Sequence, residues 1–248
     1  MAWPEPMEWE DRLPSTSDRV RERAREGAPE WTTALADEQF AGRGRQGARW
    51  VSPRGNLFVS TLLRPRSDAP LGVLPLLAGV AVRDALLPFG VETVLKWPND
   101  VLVGDRKIGG ILTEASWSEG SLDGVVVGIG VNVSLRGAEM PDEIASRTTS
   151  LWIETQRLAK VEAVAAEVLL ALRLWYHALA REGAEAVVDA WRKRAVAWWG
   201  RGVEVRSGDE VVRGVATGVE PSGALTLVLA DGRKVSLVAG VARELRAT

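Results

Sequence analysis

One stretch, Gly42-Arg43-Gly44-Arg45-Gln46-Gly47-Ala48-Arg49-Trp50, alternates glycine with arginine and closes on a tryptophan. Glycine leaves the backbone free to take positive φ, and each guanidinium is a planar, permanently charged fork. A loop of this kind encloses an anion. It occurs once, between apolar segments at 31–40 and 56–63, so it reads as an ordered connection between strands. Further along, Lys96-Trp97-Pro98-Asn99-Asp100 places a lysine before turn chemistry, and Lys107 follows closely. With 5 lysines against 26 arginines, two lysines this near each other stand out. A Walker loop is absent. Gly42, Gly44 and Gly47 have the spacing of a dinucleotide-binding loop, but Trp50-Val51-Ser52-Pro53 reads as a turn into a strand, not the helix that motif needs. Side-chain charge, more than a helix end, must hold any phosphate here.

Composition removes competing chemistries. The chain has no cysteine, which excludes disulfides, thiolate nucleophiles, zinc-thiolate sites and acyl thioesters. Its single histidine, His177, lies in an apolar helical pattern, which excludes a multi-histidine metal centre and disfavours a Ser-His-Asp triad. A net charge of −2 gives no electrostatic footprint for nucleic acid. The residues Met1-Ala2-Trp3-Pro4-Glu5-Pro6 lack a basic region followed by an apolar run, and no membrane span or signal peptide is expected. The resulting expectation is a cytoplasmic enzyme that engages neither nucleic acid nor a membrane.

At 248 residues and 46% hydrophobic content, the chain can build one large domain with a small companion. Strands are expected at 9–13, 32–40, 57–63, 93–97, 100–103, 107–114 and 125–133. Helices are expected at 18–26, capped by Ser15 or Ser17, and at 71–89, 159–181 and 186–199. In the strand at 125–133, Gly128 and Gly130 fall on one face and leave it bare, either for a flat ligand or for a packed helix. Beyond Gly200 come short strands at 203–205, 211–219, 225–229 and 234–237, with turns at 207–209, 221–223 and 231–232. They read as a small β-barrel. The expected division is a catalytic domain at 1–199 and a terminal domain at 200–248.

These motifs, in this order, resemble the biotin protein ligases. The resemblance is carried by Ser15-Thr16-Ser17, Asp37-Glu38-Gln39, the arginine loop with Trp50, Lys96-Trp97-Pro98-Asn99-Asp100, Arg106-Lys107-Ile108-Gly109-Gly110 and Gly128-Ile129-Gly130-Val131-Asn132. It implies an α+β fold with a mixed sheet packed by helices, like the class II synthetases, and an SH3-like barrel at the C-terminus. It also implies biotin and ATP as substrates with Mg2+, a biotin carboxyl carrier protein or domain as partner, and a monomer or homodimer. Without a thiol, the route to an activated carboxylate is an acyl adenylate, formed at the α-phosphate with loss of pyrophosphate. Two anions must meet, which calls for preorganised positive charge. The resemblance gives Lys96 the central charge, Arg45 the clamp on the same oxygens, and Lys107 an assisting place at the phosphates. Biotin contacts fall to Ser15, Thr16, Ser17, Gln39, Arg43 through its backbone, Gly44, Gly128 and Gly130.

By the same resemblance Trp50 stacks on adenine and Asn132 lies near the phosphates, although Trp50 is equally readable as a core aromatic. Asp100 is either the acceptor of the carrier lysine's proton or ordinary turn chemistry. No carboxylate pair identifies metal ligands. Two positions depart from the family pattern: Ser17 stands where asparagine is usual, and Ala48 where many members carry a third loop arginine. If that arginine helps hold the adenylate, Ala48 loosens the grip unless Arg49 substitutes. Too few residues precede 9–17 for a helix-turn-helix, so a ligase without DNA binding is expected. A lipoate ligase on the same fold, and a binding protein without turnover, are the alternatives.

Overall fold

The computed structural model describes residues 6–136, 140–207, 210–240 and 242–247. The amino-terminal residues 1–5 and the centre of the turn expected at 207–209 lie outside the described residues. A seven-stranded mixed sheet runs in the order β1-β2-β3-β7-β6-β5-β4. Its strands are β1 (Met7–Leu13), β2 (Thr33–Gln39), β3 (Leu57–Leu63), β4 (Val94–Lys96), β5 (Asp100–Val103), β6 (Arg106–Ser118) and β7 (Ser121–Val131). Only β1 and β2 pair in parallel, because α1 (Thr16–Arg25) crosses between them; the other neighbours are antiparallel.

The strands sort their side chains by alternation. On one face Leu35, Val59, Ile111, Val127 and Ile129 join a core with α2 (Leu74–Leu86), and with α5 (Val161–Glu182) and α6 (Ala184–Arg192), which follow the short helices α3 (Asp142–Ala145) and α4 (Leu151–Thr155). Helix α2 is apolar nearly all round and buried, as a helix between a sheet and other helices must be. Leu71–Phe89 and Val161–Glu182 are long and apolar enough to cross a membrane by length and composition, but 71–89 spends its apolar surface on this core. On the other face Val20 of α1 packs with Ala34, Leu62 and Val126. That helix covers only part of the face. The remainder, at Phe58, Ser60, Gly110, Gly128 and Gly130, is left to the arginine loop.

Helix α6 ends at Arg192, short of the 199 expected from its pattern. The chain leaves the helix to run beside β4: Leu95 N–H donates to the Arg194 carbonyl at 2.9 Å, and Val196 N–H donates to that of Leu95 at 2.9 Å. An exposed sheet edge is thereby covered. The following Trp198 and Trp199 belong to the junction with a second, five-stranded antiparallel sheet of order β11-β10-β9-β8-β12. Its strands are β8 (Gly202–Ser207), β9 (Glu210–Val219), β10 (Leu225–Val228), β11 (Lys234–Leu237) and β12 (Ala242–Ala247), the last of them not expected from the sequence. Its Val203, Val205, Leu225, Leu227 and Leu245 continue the main core. Trp97 Nε1 donates across the junction to the Gly223 carbonyl at 3.0 Å.

Leu77 on α2 has no solvent exposure. Leu77→Ala is expected to lower unfolding free energy by about 2–5 kcal/mol, through lost transfer energy and a residual cavity. Leu170→Ala on the exposed side of α5 should stay within about 0.5 kcal/mol. Urea denaturation of both variants measures the contrast.

Candidate active site

A cavity of about 230 Å3 lies where the sheet face is left open. One end is built of hydroxyls and one amide. Thr16, at the start of α1, donates its N–H to Gln39 Oε1 at 2.8 Å, and its hydroxyl lies 3.2 Å from the same oxygen. Gln39 Nε2 donates to Ser52 Oγ at 3.0 Å, and Ser52 in turn donates to the Trp50 carbonyl at 3.0 Å. With acceptor and donor ends both engaged, the Gln39 amide has a fixed orientation. Ser60 Oγ is 2.8 Å from Thr16 Oγ1 and 3.0 Å from Ser17 Oγ, which makes a buried chain of three hydroxyls. Ser15 occupies the N-cap position of α1 with extended backbone, yet its side chain makes no capping bond, and it lines the cavity.

The floor is glycine. Phe58 on β3, Gly130 on β7, Gly110 on β6 and Asp100 on β5 stand in register across four strands. The Trp50 indole lies on this row: a Cβ added to Gly130 would stand 2.6–2.8 Å from the ring, and one added to Gly110 2.9 Å from it. A Cβ on Gly128 would stand 2.7 Å from Ser17 Oγ. The bare face therefore admits two neighbours: helix α1, through the Ser17 hydroxyl, at Gly128, and the Trp50 indole at Gly130 and Gly110. Trp50 Nε1 is buried without a hydrogen-bond partner.

The other end is cationic. Lys107 on β6 folds back over Gly110, pairs with Asp100, and holds its Nζ 5.2 Å from the centre of the Trp50 ring. Arg45 Nη1 donates to Asn99 Oδ1 at 3.3 Å, and Nη2 donates to the carbonyl of Ala239 in the second sheet's last connection. Burial pushes the Arg45 guanidinium below its ordinary value, and the charge of Asp100 opposes that shift. A desolvated guanidinium with one carboxylate nearby favours a further anion.

The loop itself is ordered. Arg43 and Arg49 form an antiparallel bridge, and Gly44 N–H donates to the Ala48 carbonyl at 2.6 Å around a turn at Arg45–Gly47. Arg43 is bound on both guanidinium nitrogens by Glu114, at 2.8 and 2.7 Å, and reaches Asp18 at 3.0 Å. Arg21 joins the same carboxylates at 2.6 and 2.7 Å. With its side chain engaged there, Arg43 has its backbone to offer the cavity.

Most expected residues converge: Ser15, Thr16, Ser17, Gln39, Arg43, Gly44, Arg45, Trp50, Lys107, Gly128 and Gly130 all line the cavity, with Asp100. Lys96 does not. It lies one strand further out, opposite Asp100 in the β4–β5 pairing, with its Nζ 5.5 Å from the Trp198 ring. The lysine that lines the cavity is Lys107, where the expectation from the sequence has Lys96. Asn132 is also displaced: it is buried, and its Nδ2 donates to the Thr149 carbonyl at 2.9 Å, which ties β7 to the segment before α4. Sequence reasoning missed Ser60 and Asn99. A serine inside the fully buried β3 was the available signal, since a buried hydroxyl needs a partner.

Residues 9–132 match the Biotin/lipoate A/B protein ligase family, and residues 199–242 match the Biotin protein ligase C terminal domain. The chain is 38% identical over 208 residues to the Biotin--[acetyl-CoA-carboxylase] ligase of Paracoccus denitrificans, covering 81% of this chain and 85% of the relative. It is 35% identical over 231 residues to the Bifunctional ligase/repressor BirA of Bacillus subtilis, covering 91% and 70%. Among solved structures, the biotin protein ligase from Aquifex aeolicus in complex with biotin and ATP superposes with a TM-score of 0.84 at 28% identity, covering 98% of this chain and 99% of that one.

The Arg43–Glu114 pair fastens the loop to β6. Glu114→Gln is expected to raise the rate of tryptic cleavage within the loop by about fivefold, the effect of roughly 1 kcal/mol for a partly exposed, charge-assisted pair. Timed digestion with mapping of the first cuts measures it.

Proposed function

This chain belongs to the biotin protein ligases, and we propose that it transfers biotin to a specific lysine of a biotin carboxyl carrier domain through a biotinyl-5′-AMP intermediate. The observation that carries this reading is one cavity with an oriented hydroxyl–amide end at Thr16, Ser17, Ser60 and Gln39 and a cationic end at Arg45 and Lys107.

A ureido ring offers two N–H donors and a carbonyl, which suits hydroxyls and a fixed amide in a closed slot. The carboxylate of the same ligand would then point toward Lys107. There it attacks the α-phosphate of ATP; a carboxylate oxygen bonds to phosphorus while pyrophosphate leaves with the electron pair. Lys107 stands between the two anions and takes the central role, and Arg45 clamps the same oxygens. Both groups are held before the reaction, Lys107 by Asp100 and Arg45 by Asn99 and Ala239, so charge stabilisation requires little reorganisation. Trp50 offers its ring to adenine and covers the intermediate. Arg49 lines the cavity beside Ala48 and takes the place of the third arginine.

In the second step the carrier lysine attacks the anhydride as a neutral amine. The cations at this end lower its pKa, and Asp100 accepts its proton. AMP is the leaving group. Among the described residues no cluster of three metal-ligating side chains exists, and Asp100 is the one carboxylate lining the cavity. Mg2+, commonly held by one or two carboxylates and substrate phosphates, would find Asp100 here and would neutralise phosphate charge. The chemistry is that of the cytoplasm, where ATP and carboxylases are found.

Incubation with ATP, Mg2+ and either biotin or lipoate should give pyrophosphate and an acid-labile acyl-AMP with biotin alone; equal turnover of lipoate would overturn the substrate assignment. Lys107→Ala should lower adenylate formation by about 100-fold, the scale for losing one transition-state charge partner, and change biotin affinity by less than about tenfold. Arg45→Ala should speed escape of labelled adenylate from filter-bound enzyme by about tenfold. An unchanged off-rate removes Arg45 from the clamp.

A further inference from the structure

Lys96 was left without a role when Lys107 took the cavity, and its surroundings supply one. Beyond Asp100 lies a second hollow of about 440 Å3 that shares Asn99, Asp100 and Lys107 with the main cavity. Lys96, Arg147 and Arg206 add three cations to its walls, and Asp105 adds one further carboxylate. Lys107 and Asp100 are already paired. None of Lys96, Arg147 and Arg206 forms an ion pair among the described residues: the Lys96 ammonium rests near the Trp198 ring, and Arg147 Nη2 donates to the Glu143 carbonyl at 3.2 Å. The hollow thus holds an excess of positive charge that its own carboxylates do not balance.

We propose that this hollow receives inorganic pyrophosphate, the leaving group of the first step, with Lys96 and Arg206 as its principal cationic contacts. The inference rests on the adenylating reading above. In-line displacement puts the entering carboxylate and the leaving oxygen on opposite sides of the α-phosphorus. The carboxylate enters from the hydroxyl end, and Lys107 marks the phosphorus. The departing group must therefore move away from Thr16 and Ser17. Gly130, Gly110, Asp100 and Lys96 are successive register partners on β7, β6, β5 and β4. At about 4.8 Å per strand, Lys96 stands about 10 Å beyond Gly110 along that row, the direction and span that a diphosphate tail requires. Arg206 comes from β8 of the second sheet, so the site closes only where the two sheets meet. The hollow is lined by solvated, partly exposed cations and is separate from the ordered hydroxyl end. Pyrophosphate departs through this hollow in the forward direction and enters through it when the adenylate is reversed, so the same cations act in both directions.

The test is biotin-dependent ATP–pyrophosphate exchange by the full chain, with inorganic pyrophosphate varied at fixed biotin and ATP. Lys96→Ala and Arg206→Ala should each raise the KM for pyrophosphate by about tenfold, as expected for one lost contact to a charged group, and leave the KM for biotin within about twofold. Loss of a merely structural contact would move both constants or lower the rate alone. Arg206 is exposed, so its variant folds even if Lys96→Ala does not. A pyrophosphate KM unmoved in both variants, in a wild-type enzyme that exchanges, overturns the site. A wild-type chain with no biotin-dependent exchange overturns the adenylating reading itself.

Discussion

The contact on which the site depends is an indole ring lying on bare peptide. Trp50 occupies the space that side chains at Gly110 and Gly130 would take. Because the ring fills that space, the loop carrying it closes over the sheet at van der Waals distance, and a methyl group on either glycine would lift it. Lys107 then has a ring face to lie against and Asp100 to pair with, both on the same row of the sheet. The arginine loop is placed by this contact at its far end and by the Arg43–Glu114 pair at its near end. Between these two anchors Arg45 is carried inward, where burial works against its charge.

The polar end is fixed by a different rule, that of donors and acceptors. The Gln39 amide gives its nitrogen to Ser52 and its oxygen to Thr16, so its orientation is set by the protein's own groups. The three hydroxyls of Thr16, Ser60 and Ser17 have one proton each. If Thr16 donates to Gln39, Ser60 donates to Thr16 and Ser17 to Ser60, and Ser17 turns lone pairs to the cavity. The direction of that chain is set at Gln39, and it suits a ligand that donates an N–H. A serine at position 17 performs this with Ser60 behind it; an asparagine amide would need no such partner. The departure at 17 is thus tied to the serine in β3.

Much of this was legible in the sequence because it follows from local rules. Strand-forming runs bounded by turn residues gave β3 and β5 to the residue, the loop's composition marked its charge, and paired glycines marked a bare face. What was not legible depends on register. Lys96 and Lys107 flank one hairpin, and either spacing could carry a cation to the cavity. The outcome is decided by a register shift in the β5–β6 pairing between Val101 and Leu102, and by Lys107 folding back over Gly110. Asn132 sits beside the glycine strand in sequence, yet its amide is spent on the Thr149 carbonyl because the chain passes back there into α4. The helix expected to continue to 199 stops at Arg192 because residues 194–196 cover β4. Such competition between elements has no local signature.

The second sheet has a place in the chemistry as well as in the core. Arg45 reaches the Ala239 carbonyl and Gln46 Nε2 donates to that of Gly240 at 3.2 Å, both in the connection after β11. Trp97, beside Lys96 and next to the Pro98-Asn99-Asp100 turn, donates to Gly223 before β10. The loop that holds the anions and the hairpin that carries Asn99 and Asp100 are therefore braced against the same sheet from two sides. Each brace runs from side chains in a motif to backbone carbonyls of the second sheet, two bonds from the loop and one from the hairpin. The terminal sheet thus supplies backbone acceptors to both motifs, and the sequence places its strands after those motifs without revealing that they return to them.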